Sequence, residues 1–166
     1  MKRVRFLQCG SSVLRVIVII PAAMFVAGIG WYSYAEHRRH YWDDKVRELC
    51  AKDGGLHIFE QVSLPLSAYQ TLLNVFGELS PPELGGGRNE APVGRVSLNT
   101  HLHIGVPEVV RYEQRLVRRI DAKVLGSYIT YARIGGDSGF VDNPSTFACP
   151  QSAQNWFARI ILKQGE

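Results

Sequence analysis

Apolar and polar positions along this chain follow different rules in successive stretches. In "VIVIIPAAMFVAGIGWYSYA", residues 16–35, there is no charged side chain, and the run has about the 20 residues that a helix needs to cross a bilayer. Trp31, Tyr32 and Tyr34 gather at its far end, where amphipathic rings suit a membrane–water interface. Arg15 can extend its charge to the near end, and Pro21 is tolerable because membrane helices accept proline. The next stretch, "EHRRHYWDDKVRELCAK", has a helical period: Trp42, Val46, Leu49 and Cys50 recur at i, i+4, i+7 and i+8. Gly54-Gly55 supplies a left-handed stop. The predicted helix continues from the apolar run or follows it after a short break.

Beyond Gly55 the pattern turns to strands. "LHIFEQVSL" predicts one strand ended by Pro65, and "SAYQTLLNVFGEL" a short helix capped by Ser67 with Tyr69, Leu72, Leu73 and Phe76 on its apolar side. "SPPELGGGRNEAP" is a loop, since its prolines and glycines break any regular element. In "RVSLNTHLHI", Val96, Leu98, Leu102 and Ile104 alternate with Ser97, Asn99, His101 and His103, which predicts a strand with one apolar face. "VVRYEQRLVRRI" and "KVLGSYITYARI" flank the turn "DA" as a long hairpin with one wet face. The closing "QSAQNWFARIILKQGE" suits a short amphipathic helix or a last strand. The sum is an α+β chain: a single N-terminal transmembrane helix over 16–35, a juxtamembrane helix, then a mainly antiparallel sheet within a domain of residues 36–166.

Charge sharpens this picture. Of 19 Lys and Arg, four (Lys2, Arg3, Arg5, Arg15) precede the apolar run, leaving 15 against 15 Asp and Glu, all at Glu36 or later. The domain is therefore formally neutral and has little long-range attraction for a phosphate backbone, which argues against nucleic acid as a partner. The basicity belongs to a targeting segment. A cleaved signal peptide would need an apolar region of about 7–15 residues, and here the run is longer and bulky rings crowd the small residues Ser33 and Ala35. An uncleaved anchor is the preferred reading. Arg38, Arg39, Lys45 and Arg47 make the Lys/Arg balance nearly even across it. The commoner arrangement puts residues 1–15 in the cytoplasm as a basic tail. In a bacterium the lipid bilayer is then the inner membrane, and the domain lies in the periplasm.

That location decides how the cysteines read. Cys9 stays with the tail, so Cys50 and Cys149 are the two thiols of the exported domain, and such pairs usually form a disulfide. Closing a loop near 100 residues stabilises by about 4–5 kcal/mol on chain-entropy grounds. Two inert buried thiols remain an alternative, as does redox or catalytic chemistry. The last is disfavoured because Cys50 ends a helix at the terminus that does not lower a thiol pKa.

Other constellations are weaker. His101 and His103 are predicted on one side of a strand, and His37 and His40 on one helical face, so either pair can offer two imidazoles to a metal. No convincing third ligand is visible, and no metal or other cofactor is assigned. "GGDSGF", residues 135–140, resembles the segment around the nucleophilic serine of chymotrypsin-like proteases, with Ser138 in the nucleophile's place. That family needs two barrels and a His and Asp before the serine, and it has a second glycine where this chain has Phe140. A Gly-rich loop is the better reading. No P-loop, GxGxxG, CxxC or HExxH occurs.

"VRELCAKDGG" leading into a strand, then "DAKVLGSYITYARIGGD", then "STFACP" together resemble, from Val46 to Pro150, a group of small uncharacterised proteobacterial envelope proteins with an N-terminal signal, anchor or lipoprotein segment. Their hairpin turn usually carries glycine where this chain has Ala122. The resemblance implies an envelope location and a role for Cys50 and Cys149, and no activity. The expected function is a non-enzymatic, single-pass envelope protein that binds or scaffolds an envelope protein partner. The alternative is a periplasmic small-ligand or metal-binding module using His101 and His103.

Overall fold

The computed structural model describes residues 10–85, 91–137, 144–150 and 155–164. Its first element is one unbroken helix, α1 (Gly10–Asp53), 44 residues long with Pro21 inside. The expected juxtamembrane helix is thus the continuation of the apolar run. Among the described residues it is one helix long and apolar enough to cross a membrane. Gly54 ends it by donating its N–H to the Cys50 carbonyl at 2.8 Å, and Gly55 follows at φ +107°, a conformation glycine adopts without steric cost.

A mainly antiparallel sheet follows. Strands β1 (Gly55–Ile58), β3 (Val93–His103), β4 (Glu108–Arg118), β5 (Val124–Ile134) and β6 (Thr146–Cys149) form it. Its order is β1-β5-β4-β3, with β6 also pairing β5. A parallel pair, β2 (Val62–Leu64) with β7 (Ile161–Lys163), stands apart.

Several expectations are corrected here. "LHIFEQVSL" is two strands in two sheets, broken at Phe59–Gln61, where the Phe59 and Glu60 amides both donate to the Leu125 carbonyl at 2.9 Å. The helix predicted after Pro65 is only α2 (Leu66–Gln70), with Pro65 rather than Ser67 at its N-cap position and Phe76 left 84% exposed. The C-terminal segment is both things at once, a 3-10 turn (Trp156–Arg159) feeding β7. The β4–β5 hairpin is present, but β5 is buried along most of its length, because both faces of the sheet are covered.

Alternation along β5 separates two cores. Tyr128 points to the side where Leu72, Leu116, Leu125, Trp156, Phe157 and Ile160 pack. Ile129 and Tyr131 point to the other side, against Val46 of α1 and Val109, with Trp42, Leu49, Cys50, Phe147 and Cys149 around them. The helical face predicted from Trp42, Val46, Leu49 and Cys50 is the face that meets the sheet.

Candidate functional site

Three sets of contacts fix α1 to the sheet. Cys50 and Cys149 are joined as a disulfide across a sequence separation of 99. Asp43 accepts a 2.6 Å bond from Arg133 Nε, and both residues are buried. Arg133 also donates to the Gly135 carbonyl and, at 3.1 Å, to Ser145 Oγ. Asp137 completes this corner by accepting from the Ser145 amide and hydroxyl, each at 2.6 Å. Those bonds hold its carboxyl below the usual range. At the top of α1, Tyr131 donates its hydroxyl to Asp53 at 2.7 Å, and Arg111 Nε donates to the Tyr131 oxygen at 3.2 Å. Burial, then the bond to Asp53, pushes the Tyr131 hydroxyl pKa up.

The α1 side of β4 carries the charged ladder Arg111–Glu113–Arg115, in which both guanidinium groups donate to the Glu113 carboxylate. Glu113 is buried. The bonds from Arg115 and then Arg111 hold its pKa down against the opposing effect of burial. Pairing with both arginines is how the buried Glu113 keeps its charge, and the second positive charge is met by Asp53, 3.6 Å from Arg111.

The two histidines are not brought together. A β-bulge between His101 and His103 inserts Leu102, and an inserted residue reverses the side to which the next side chain points. His101 lies on the face away from α1, with Nδ1 2.5 Å from Glu108 Oε1. His103 lies on the α1 face, its ring centroid 4.3 Å from that of Trp42 and its Nδ1 donating to the Pro107 carbonyl at 2.7 Å. The expectation that both project from one side is therefore corrected. On α1, His40 meets Glu36 at 3.1 Å. Among the described residues no group of three or more His, Cys, Asp and Glu could hold a metal ion. Ser138 lies outside the described residues.

What the sheet does expose is the outer edge of β3. Its start is covered, with Arg95 donating to the Pro82 carbonyl at 2.8 Å and accepting from the Leu84 amide at 2.9 Å. From Ser97 to His101 no strand of the described residues pairs with that edge, and residues 97–102 are exposed on both faces. Of the apolar side predicted from Val96, Leu98, Leu102 and Ile104, the last three are exposed and Val96 is half-buried, because α1 lies chiefly over β5 and β6. Beside this edge Trp42, Leu49, Leu102, His103 and Val109 line a groove of about 430 Å³, rimmed by Lys45, Glu48 and Lys52. The sequence signal for this edge was available: no charged residue or proline interrupts Val96–Leu102, and protected edge strands usually carry one.

Searches of protein-family models, of curated proteins and of solved structures find no match to this chain.

Proposed function

We propose that the protein is a single-pass, membrane-anchored, non-enzymatic binding domain of the bacterial envelope. Residues 1–15 lie in the cytoplasm, 16–35 cross the inner membrane and 36–166 occupy the periplasm. The domain takes an extended segment of a partner polypeptide onto the open edge of β3. The apolar helix supports the anchor, and the Cys50–Cys149 bond suits an oxidising compartment.

One observation carries the binding mode. The uncharged stretch Ser97–His101 offers outward backbone N–H and C=O groups that no strand among the described residues pairs, and strand addition supplies partners for such groups. Arg95 turns its backbone outward to the 82–84 segment, so by alternation Ser97, Asn99 and His101 do the same.

A photo-crosslinker in place of exposed Leu98, in membranes of the producing bacterium, tests this. A discrete adduct is expected, with none from the same group at Ile120. Asn99→Pro removes one outward donor without touching the β3–β4 ladder, so it abolishes the adduct while Tm changes little. No adduct at position 98, or an adduct indifferent to Asn99→Pro, refutes edge binding.

A further inference from the structure

We propose that the tip of the β3–β4 hairpin, Ile104 to Pro107, enters the headgroup layer of the bilayer that α1 crosses, so that the domain touches lipid at a second point beside its anchor. This rests on the reading of residues 16–35 as a membrane span.

The direction of the strands relative to α1 brings the tip there. The Trp42 ring packs at a tilt against His103, at the end of β3. One turn further along α1, Val46 packs on Val109, and the helix ends at Asp53, which lies 3.6 Å from Arg111. On the neighbouring strand Asp43 holds Arg133, whereas the chain just past Asp53 pairs with Ile129. Thus β4 runs with α1 and β5 runs against it. The turn that precedes β4 and the loop that follows β5 both lie at the end of the sheet nearest Ala35.

A close approach joins that turn to that loop. The space beside Gly136 is filled by Pro107, since a Cβ there would come 2.9 Å from Pro107 Cβ. The same loop is tied to the lower helix through Arg133, which donates to the Gly135 carbonyl and to Asp43 of α1. Ala35 itself is only 5% exposed.

The distances agree. Trp42 is seven residues past Ala35, about 10 Å at 1.5 Å per residue. The tip extends one to three residues beyond His103, about 3–10 Å back toward the membrane at roughly 3.3 Å per residue. What remains is comparable with one headgroup layer, about 5–8 Å deep.

The chemistry of the tip fits that depth. Ile104 is 86% exposed and Val106 66%, and the four residues "IGVP" carry no charge. Gly105 and Pro107 are ordinary turn residues, so what marks this turn is the exposure of Ile104 and Val106. Arg38 and Arg39 stand on α1 at the same level, where lipid phosphates would lie. The opposite turn of the sheet also exposes an isoleucine, Ile120, but among Arg118, Arg119, Asp121 and Lys123, so it serves as the water-facing control.

Nitroxide labels on the full chain in vesicles of phosphatidylcholine and phosphatidylglycerol test the proposal. They are placed singly by Phe25→Cys, Ile104→Cys, Val106→Cys and Ile120→Cys, in a Cys9→Ser background with the Cys50–Cys149 bond intact. Collision with oxygen reports lipid, and collision with a water-soluble nickel chelate reports solvent. The oxygen-to-nickel ratio at 104 and 106 is expected to exceed that at 120 several-fold, with position 25 higher still. Position 25 in lipid while 104 and 106 match 120 overturns the inference and leaves the anchor standing. A wet position 25 overturns both. Labels at 104 and 106 shielded from both reagents would mean a protein covers the tip, and would also overturn it.

Discussion

Arg133 and Asp43 form a buried ion pair that links the long helix to the sheet: Nε and Oδ1 are 2.6 Å apart, and the two side chains are 3% and 12% exposed. The helix carries the apolar run and the sheet carries the open edge, so this pair helps fix how one is presented by the other. Removing one partner strands a charge where water does not reach. Asp43→Ala is expected to destabilise by about 3 kcal/mol, the lower part of the usual range because Arg133 keeps its bonds to Gly135 and Ser145. The double variant Asp43→Leu, Arg133→Met should recover much of the loss. Thermal unfolding in detergent measures both, and equal losses in the single and double variants would show that pairing is not the cause.

The disulfide fixes the same helix to β6, the strand that pairs the end of β5. A closure over 99 positions predicts that Cys50→Ser, or reduction, costs about 2–5 kcal/mol. In Cys50→Ser protein, Cys149 becomes reactive to a thiol reagent under denaturing conditions, whereas the untreated wild type shows only Cys9. A wild type that reacts at all three positions before reduction would remove the bond from the account.

The helical face and the β4–β5 hairpin were legible because local pattern and tertiary role agree there. Trp42, Val46, Leu49 and Cys50 share one side of a helix, and that side packs. Where tertiary contacts decide, the pattern misled. Nothing in "LHIFEQVSL" marks a break, which is set by the Leu125 carbonyl and by Arg118 and Lys123 pairing with Glu60. Alternation in β3 was visible, and its Val96 and Leu98 share the α1 face of the sheet with Arg115 and Glu113. But α1 lies chiefly over β5 and β6, so that side stays open where the pattern made it look like core. The inverse happened on β4: Arg111, Glu113 and Arg115 lie on the face expected to be wet and instead turn to the α1 side, where they pair with one another and Arg111 also meets Asp53. The bulge at Leu102 had no signature at all, and it moved His101 and His103 apart.

Acid sensitivity follows from the held-down carboxyls. Glu113, bonded by Arg115 and Arg111, and Asp137, bonded by Ser145, both titrate below their ordinary values of 4.5 and 3.8. As pH falls, the unfolded chain takes up these protons before the folded one does. Their contribution is therefore complete above the ordinary values and is lost as pH drops through the folded-state values. Tm measured from neutral pH down to about 3 should fall most steeply at the acid end. Glu113→Gln should start lower and fall less steeply, and an unchanged acid slope in that variant would exclude Glu113 as a contributor.

The turn between β4 and β5 contains a residue of the wrong type for its backbone. Ala122 sits at φ +54°, in the left-handed region where a Cβ crowds the following carbonyl at a cost of about 1–2 kcal/mol. Its side chain is exposed, so replacing it removes no packing. Ala122→Gly relieves that crowding but gives the unfolded chain extra freedom worth about 0.4–1 kcal/mol. The difference predicts a gain of about 0.5–1 kcal/mol. Tm of the variant in the same detergent measures it, and a lower Tm than wild type would show that the turn does not hold Ala122 in the left-handed conformation. Because this turn lies at the end of the sheet away from the hairpin tip and the start of the apolar helix, the gain should leave labelling at Ile104 and crosslinking at Leu98 unchanged.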